Sequence, residues 1–478
     1  MFRLQTTEII DGDTQSGCAQ TYAKLLLPLA GHPTPAIAAR APVLTLVSAG
    51  MRAPSLRLLA LCGGASILIA GCGKGDGIGH STNRLAANPP PEARGVVGVS
   101  TKNTTRLGGA DPTADAAAVA QAIYPGITPA TRPQAVALID EHDWPAALAA
   151  SALAGAPLGA PLLYAEGDTL PHASEAALRA MRPIGSSSLG GAQVLSIGAG
   201  ASVPGGYKVK SIAGTGAAIA NGSAGAGSTR DIQAAGAAVE VLQLVQAAAE
   251  HQANEVIVVA SDTPQALQMP AAELAAESGT PILFVTSSGV PSATSNALRA
   301  LGHPTIYVIA PKTLHGTAYA ALAKLGTVVH VSGEAGPGEN AAANASNDPV
   351  ENAISVSRFS HGAFGWGIHE AGHGLVFANV ARPLDAPAAA PLSAHGDYGP
   401  LLLLEHSASV PTALTHYLSN IEPGYTAAAP PVREVYNHGW LIGDERAISA
   451  LAQAELDTVL EIAPRQAAAG EQSVAEAE

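Results

Sequence analysis

Gly279-Thr-Pro-Ile-Leu-Phe-Val-Thr-Ser-Ser-Gly-Val-Pro-Ser-Ala-Thr-Ser-Asn-Ala-Leu298 decides the fold, because the chain carries this pattern three times. Pro281 opens a short apolar run, and ten residues on Pro291 and Ser292 open a helical pattern through Leu298 and Leu301. The pattern occurs earlier as Gly159-Ala-Pro161-Leu-Leu-Tyr164, with Pro171 ten residues on and Leu178 in the helix that follows. It occurs later as Gly399-Pro400-Leu-Leu-Leu-Leu404, with Pro411 eleven residues on and then Leu414 and Leu418. Pro145, Pro264 and Pro383 lie 16, 17 and 17 residues upstream of the three run-opening prolines, which are themselves 120 and 119 residues apart. Three spacings in register mean a threefold internal repeat, and a repeat constrains the fold before any single motif does.

Strand-like apolar runs alternate with helical stretches throughout. Ala135 to Ile139, Leu162 to Tyr164 and Val194 to Ile197 read as buried strands, since a continuous apolar run suits a parallel sheet covered on both faces. Thr113 to Ala122, Ser174 to Met181 and the long Thr229 to Ala249 read as helices. The second repeat adds strands at Val256–Val259, Ile282–Val285 and Thr305–Ile309, with helices at 264–278, 292–301 and 318–325. The third adds strands at Leu375–Ala378, Leu401–Leu404 and Gly439–Ile442, helices at 350–359, 384–394, 412–418 and 445–456, and a last run at 459–462. Alternation of this kind predicts an α/β fold of three tandem αβα, parallel-sheet, Rossmann-like repeats of about 100–130 residues each. With 13% charged residues and much alanine surface, the repeats are expected to pack together with pseudo-threefold symmetry.

The start of the chain has a different character. Met51-Arg-Ala-Pro-Ser-Leu-Arg57, the apolar Leu58 to Ala70 and the small residues before Cys72 have the layout of an export signal. The apolar core is shorter than the roughly 20 residues of a membrane span. Ile69-Ala70-Gly71-Cys72 resembles the lipobox of bacterial lipoproteins, which implies cleavage before Cys72 and lipid on its thiol. Residues 1–50 are then an over-extended start, 51–71 a signal peptide and 72–95 a flexible tether. Repeats are expected at 96–210, 211–330 and 331–462, with a disordered tail at 463–478. Only Cys18, Cys62 and Cys72 occur, so a processed chain has no disulfide and depends on packing. Cleavage leaves 19 basic and 35 acidic residues, a formal charge of −16. That balance, with no basic run, argues against nucleic-acid binding.

Arg106-Leu-Gly-Gly-Ala-Asp111, Asp143-Trp-Pro-Ala-Ala-Leu148, Ala160-Pro-Leu-Leu163 and Leu170-Pro171 together resemble the cell wall-binding repeat 2 family of Gram-positive surface proteins. Pro264-Gln-Ala-Leu267, Thr280-Pro-Ile-Leu283 and Val290-Pro291 follow the same order in the second repeat. Arg382-Pro-Leu-Asp385, Gly399-Pro-Leu-Leu402 and Val410-Pro411 do so in the third. The resemblance implies three packed repeats that hold an anionic cell-wall polysaccharide or a teichoic-acid-like polymer without catalysis or cofactor. It also implies an exported protein facing the wall, here with a lipid anchor as its only link to the membrane. Candidate polymer contacts are Pro161, Leu162, Leu163, Pro281, Ile282, Leu283, Pro400, Leu401 and Leu402, with Arg182 and Arg299 as basic partners and Arg179 nearby. The competing reading of the Pro-x-Leu runs is a buried strand without ligand contact.

His369-Glu-Ala-Gly-His373 carries the other candidate chemistry. In H-E-x-x-H on a helix, two histidines one turn apart bind zinc and the glutamate is the base for water attack. That alternative is a zinc-dependent metallohydrolase using His369 and His373 with Glu370 as base. Glycines at 362, 365, 367, 372 and 374 oppose a helix there, each costing about 1 kcal/mol relative to alanine. Alignment of Leu375–Ala378 with Val256–Val259 puts the motif in the loop entering a strand instead. His438 and Asp444 are conceivable further ligands that nothing in the sequence positions. Asp140, Glu141, His142 and Asp143 follow a strand end, where α/β folds place ligands or where Asp143 simply starts a helix.

Overall fold

The computed structural model describes residues 99–213, 227–332, 346–395, 399–425 and 436–464. The export signal, Cys72, the tether and nearly all of the tail lie outside the described residues.

The chain opens with an antiparallel hairpin, β1 (Val99–Ser100) and β2 (Thr104–Leu107). It continues through α1 (Pro112–Ile123), β3 (Val136–Asp140), α2 (Trp144–Ala150), β4 (Leu162–Ala165), α3 (His172–Met181), β5 (Val194–Ile197) and β6 (Val209–Ile212). A 3-10 turn, Ser151–Ala154, extends α2. The second stretch runs α4 (Thr229–Ala249), β7 (Glu255–Ala260), α5 (Gln265–Gln268), α6 (Ala271–Ser278), β8 (Ile282–Val285), α7 (Ser292–Ala300), β9 (Thr305–Val308), α8 (Gly316–Leu322) and β10 (Thr327–His330). The third runs α9 (Pro349–Arg358), β11 (Gly374–Asn379), α10 (Asp385–Ala394), β12 (Leu401–Leu404), α11 (Thr412–Asn420), β13 (Gly424–Tyr425), β14 (His438–Ile442), α12 (Ala450–Val459) and β15 (Ala463–Pro464).

Three main sheets result, ordered β4-β3-β5-β6, β8-β7-β9-β10 and β12-β11-β14-β2-β1. All their pairings are parallel except β1–β2. The expected α/β class with parallel sheets is therefore what the chain forms. The Pro-x-Leu runs are β4, β8 and β12, and the proline before each fixes the register in the same way. Ala137 N donates to Pro161 O at 3.0 Å, Ile257 N to Pro281 O at 2.9 Å and Val376 N to Pro400 O at 3.0 Å. Proline is tolerated at these positions because it opens an edge strand, where its missing N–H breaks no ladder. Each such edge is covered by the helix that precedes its sheet: α1 on β4, α4 on β8 and α9 on β12. Covering an edge removes the free backbone row that would otherwise pair with another chain.

The helices linking first to second strand meet one another. The 3-10 turn 151–154, α6 and α10 pack together, and Ala152, Ala154, Ala271, Ala275, Ala276, Ala388, Ala389 and Ala390 are all buried. Alanine suits this meeting because it loses no side-chain entropy and lets helices approach closely. α4 is long and apolar enough to cross a membrane by those criteria alone. Here it packs on α2 and β8, and Ser228 and Asp231 cap its start reciprocally.

Several expectations need correction. β2 was expected in the repeat spanning 96–210, yet it pairs with β14 and completes the third sheet. In the other two sheets the fourth strand, β6 or β10, follows its third in sequence. In the last sheet that place is filled from the start of the chain, because after β14 the chain turns into α12. The helix expected from Glu445 begins only at Ala450, capped by Ser449 Oγ accepting from Ala452 N at 3.1 Å. Arg106 explains the delay: its guanidinium takes the carbonyls of Gly443, Asp444 and Ile448 at 3.0, 2.9 and 2.6 Å, so these residues stay in turns. The last run, expected at 459–462, is split: Val459 ends α12, and the strand β15 lies at Ala463–Pro464. The helix expected over 264–278 is broken at Pro270, whose ring and missing N–H interrupt the hydrogen-bond ladder.

Candidate functional site

The loops leaving the carboxyl ends of the parallel strands are where open α/β sheets hold ligands. After β4, β8 and β12 the chain makes the same narrow turn, closed by pairing of Glu166 with Thr169, Thr286 with Gly289 and His406 with Ser409. Each turn runs into a helix whose N-cap is proline, Pro171, Pro291 or Pro411. In the first turn Gly167 has a φ of +57°, a left-handed conformation that costs glycine nothing.

Beside this first turn lies a cleft of about 320 Å³, lined by Asp111, Thr113, Glu141, Glu166, Pro171 and His172. Helix α1, the loop after β3, the turn after β4 and the start of α3 position these groups. Asp111 caps α1, its Oδ1 accepting from Ala114 N at 2.8 Å. Thr113 in the first turn of α1 donates to Glu141 Oε2 at 3.0 Å, which holds that carboxylate toward the cleft wall. Glu166 comes from the turn after β4, and His172 begins α3. On the adjacent loop His142 Nδ1 lies 3.1 Å from Asp140 Oδ1, and that hydrogen bond and charge raise the His142 pKa. Asp143 caps α2, Oδ1 accepting from Ala146 N at 3.1 Å. Three carboxylates, a hydroxyl and an imidazole make a hydrogen-bonding surface rich in acceptors. It matches the donor hydroxyls of a sugar and repels a bare phosphate.

The nine residues Pro161, Leu162, Leu163, Pro281, Ile282, Leu283, Pro400, Leu401 and Leu402 are all buried. Their leucine and isoleucine side chains are at most 1% exposed, so they have no surface to offer a polymer. The candidate contacts on these runs are corrected to core positions. The arginines stand apart from the cleft. Arg182 closes α3 in a left-handed conformation and donates to Gly126 O. Arg299 lies in the last turn of α7 with Nη1 3.0 Å from Asn296 Oδ1, and Arg179 pairs with Glu175 one turn away. Cations at helix C-termini are favoured by the helix dipole, which accounts for these positions without a ligand.

His369, Glu370 and His373 lie in coil, and β11 starts at the next residue, Gly374. The histidines therefore do not share a helical face, and the zinc-hydrolase alternative loses the geometry it requires. The stretch is pinned at both sides instead. Phe364 stacks on Tyr307 of β9 at 3.7 Å between ring centres, and Ile368 N donates to Ser357 O at 3.0 Å. Gly372 N and His373 N both donate to Asn437 Oδ1, at 2.9 and 3.1 Å. Burial lowers the His373 pKa. His438 Nε2 lies 3.1 Å from Thr105 Oγ1, and Asp444 pairs with Arg446 at 2.9 Å, so both are engaged elsewhere. Among the described residues no three His, Cys, Asp or Glu side chains are grouped to hold a metal ion.

Glu141 stood out in the sequence as part of a polar cluster after a strand. Asp111 was marked only as the end of a motif, and Thr113, Glu166 and His172 not at all, because it is the packing of α1 on β4 and α3, beside the paired β3 and β4, that brings them together.

No curated protein is similar to this chain in sequence. Among solved structures the chain is similar to Cwp6 from Clostridium difficile, with a TM-score of 0.52 and 17% identity. It is also similar to Cwp8 from Clostridium difficile, with a TM-score of 0.51 and 15% identity. The matches cover 77% and 75% of this chain but 51% of each of those proteins, so this likeness concerns the fold and about half their length. Residues 106–205, which contain the whole lining of the cleft, match the model of the family cell wall binding domain 2 (CWB2), so over that segment the chain is similar to CWB2 domains.

Proposed function

We propose that the protein is a non-catalytic module of the cell envelope that binds a wall polysaccharide through the carboxyl-end loops of its sheets. The observation that carries this reading is the position of the cleft between Asp111 and His172, inside the segment that matches CWB2. The three units pack as a pseudo-threefold, and the polymer is an anionic polysaccharide held chiefly by its hydroxyls. The teichoic-acid-like polymer is the less favoured ligand, because Asp111, Glu141 and Glu166 oppose its phosphates. Export with a lipid on Cys72 supplies the location, facing the wall from the outer side of the membrane.

The test is sedimentation of the purified chain with isolated cell walls, with and without chelator and raised salt. Glu141→Gln together with Glu166→Gln is expected to lower the bound fraction at least severalfold while leaving the thermal midpoint unchanged. Undiminished binding by that double variant sinks the cleft as the site. No sedimentation of the unaltered chain with walls sinks polymer binding altogether.

A further inference from the structure

The seam between the first unit and the third buries charge in a way the other two seams do not. α1 packs on α10, α4 on α2 and α9 on α5, so each leading helix rests on the linking helix of another unit. The first turns of these helices carry Asp115, Asp231 and Asn352. Asn352 is neutral and donates to Leu267 O at 3.0 Å. Asp231 accepts from the hydroxyls of Ser261 and Ser228, each at 2.7 Å. Asp115 instead meets a second carboxyl, Asp385 at the start of α10, and both are 0% exposed.

One guanidinium serves both. Arg382 Nη2 donates to Asp115 Oδ2, and Arg382 Nε lies 2.8 Å from Asp385 Oδ2, within ion-pair distance but off the hydrogen-bond direction. The remaining oxygen of Asp115 accepts from Gly109 N at 2.6 Å. Gly108 leaves room for it, since a Cβ there would lie 2.1 Å from Asp115 Oδ1. Arg382 Nη2 also donates to Asp385 Oδ1 at 3.4 Å, so one nitrogen bridges the two carboxyls and holds them side by side, an arrangement that favours a proton on one of them. The other charged groups around the pair do not supply a second cation. Asp444 lies 3.9 Å from Arg382 Nη1 but is paired with Arg446, Glu445 follows it, and Arg106 is taken up by Gln453 and three carbonyls. Asp111, Glu141 and Glu273 add only negative charge nearby, and Tyr164 spends its hydroxyl on Leu384 O at 2.7 Å.

We propose that Asp115 and Asp385 form a proton-operated latch on the seam that closes the first unit against the third. With one shared proton, the pair carries a single negative charge that Arg382 neutralises, and α1 stays seated on α10. When the proton leaves to solvent, two carboxylates face each other with one counter-charge in a dry contact, and this seam loosens while the other two hold. Burial, then the mutual charge of the pair, hold Asp115 well above the ordinary carboxylate range, and burial pushes Asp385 up to about 6. Raised acids favour the folded seam below the ordinary aspartate value of about 3.9, and that contribution is lost as pH rises through the raised values.

Hydrogen exchange, corrected for the intrinsic pH dependence of amide chemistry, tests this on the full chain. Between about pH 5 and about pH 8, protection of α1 and β2 amides is expected to fall at least about tenfold relative to α4 and α9, one pKa unit corresponding to tenfold. In Asp385→Asn that relative change disappears, since the amide cannot ionise. Asp115→Asn is the second variant, with the same expectation, should the first fail to fold. An equal change in all three leading helices of the unaltered protein, or no change, overturns the latch. So does a slope that survives either substitution.

Discussion

At the scale of single residues, Glu273 is the most exposed to test, although it is the least exposed to solvent. It sits in α6 at 0% exposure, and neither carboxylate oxygen has a partner beyond its own backbone amide. Leu392 occupies the corresponding place in α10, nine residues after Pro383 as Glu273 is nine after Pro264. Burial raises the Glu273 pKa well above the ordinary value, so its contribution to stability is greatest in acid and declines as pH rises. Glu273→Leu is expected to stabilise by about 1–3 kcal/mol, the usual cost of an unsatisfied buried polar group. Thermal melts of this variant should gain more at about pH 8 than at about pH 5; a lower midpoint at both would show that the carboxyl has a partner. Nothing in the sequence marked Glu273, because AAELAAES reads as an ordinary helix with glutamates toward water. The prolines before the strands, by contrast, were legible from spacing alone. Their carbonyls make the same hydrogen bond three times, while the side chains after them proved to be core rather than contact surface.

Elements were read more reliably than their surroundings. Periodicity located β5, β8, β12 and α4 at their observed bounds because burial on both faces leaves a run with one solution. It failed at α12, where Arg106 from the far end of the chain holds the carbonyls a helix would have used. Long-range contacts of this kind carry no local signal. Arg106→Ala removes the side-chain donor to the carbonyls of Gly443 and Ile448, while Asp444 O keeps the amides of Ala447 and Ile448, and it leaves Gln453 half-partnered. It is expected to destabilise by about 3 kcal/mol or more, read as a fall in the denaturant midpoint. The alanine meeting of α6 and α10 predicts the opposite kind of failure. Ala275→Leu or Ala389→Leu adds volume where helices already touch and should cost about 1–3 kcal/mol, against no measurable loss for leucine at exposed Ala454. The HEAGH stretch also resolves at this scale: its residues fit the zinc pattern, but the element beneath them is coil.

At the scale of the molecule, the third sheet is assembled from both ends of the described chain. Lys102, Asn103 and Thr101 grip Asp457 and Glu461 of the α12 region, and β2 pairs with β14 along four residues. Deleting residues 99–107 from the full chain is therefore expected to raise hydrogen exchange in β11, β12 and β14 by more than tenfold, an expected loss of over about 1.4 kcal/mol. The sheet containing β3, β4 and β5 should be far less affected, although β2 precedes it in sequence. Equal exchange in both sheets would refute the assignment. The alternation of parallel strands and helices was readable from the sequence; which strand belongs to which sheet was not, since a strand of four residues has no mark of its distant partner.

This closure also orders how the protein is made. β2 emerges from the ribosome more than three hundred residues before β14, the strand it must lie beside. Two thirds of the chain can assemble while that early strand waits with one of its two edges unmatched. Maturation of the last third is thus limited by the arrival of the final segment, and a chain halted before residue 438 carries a ready-made strand with nowhere to dock.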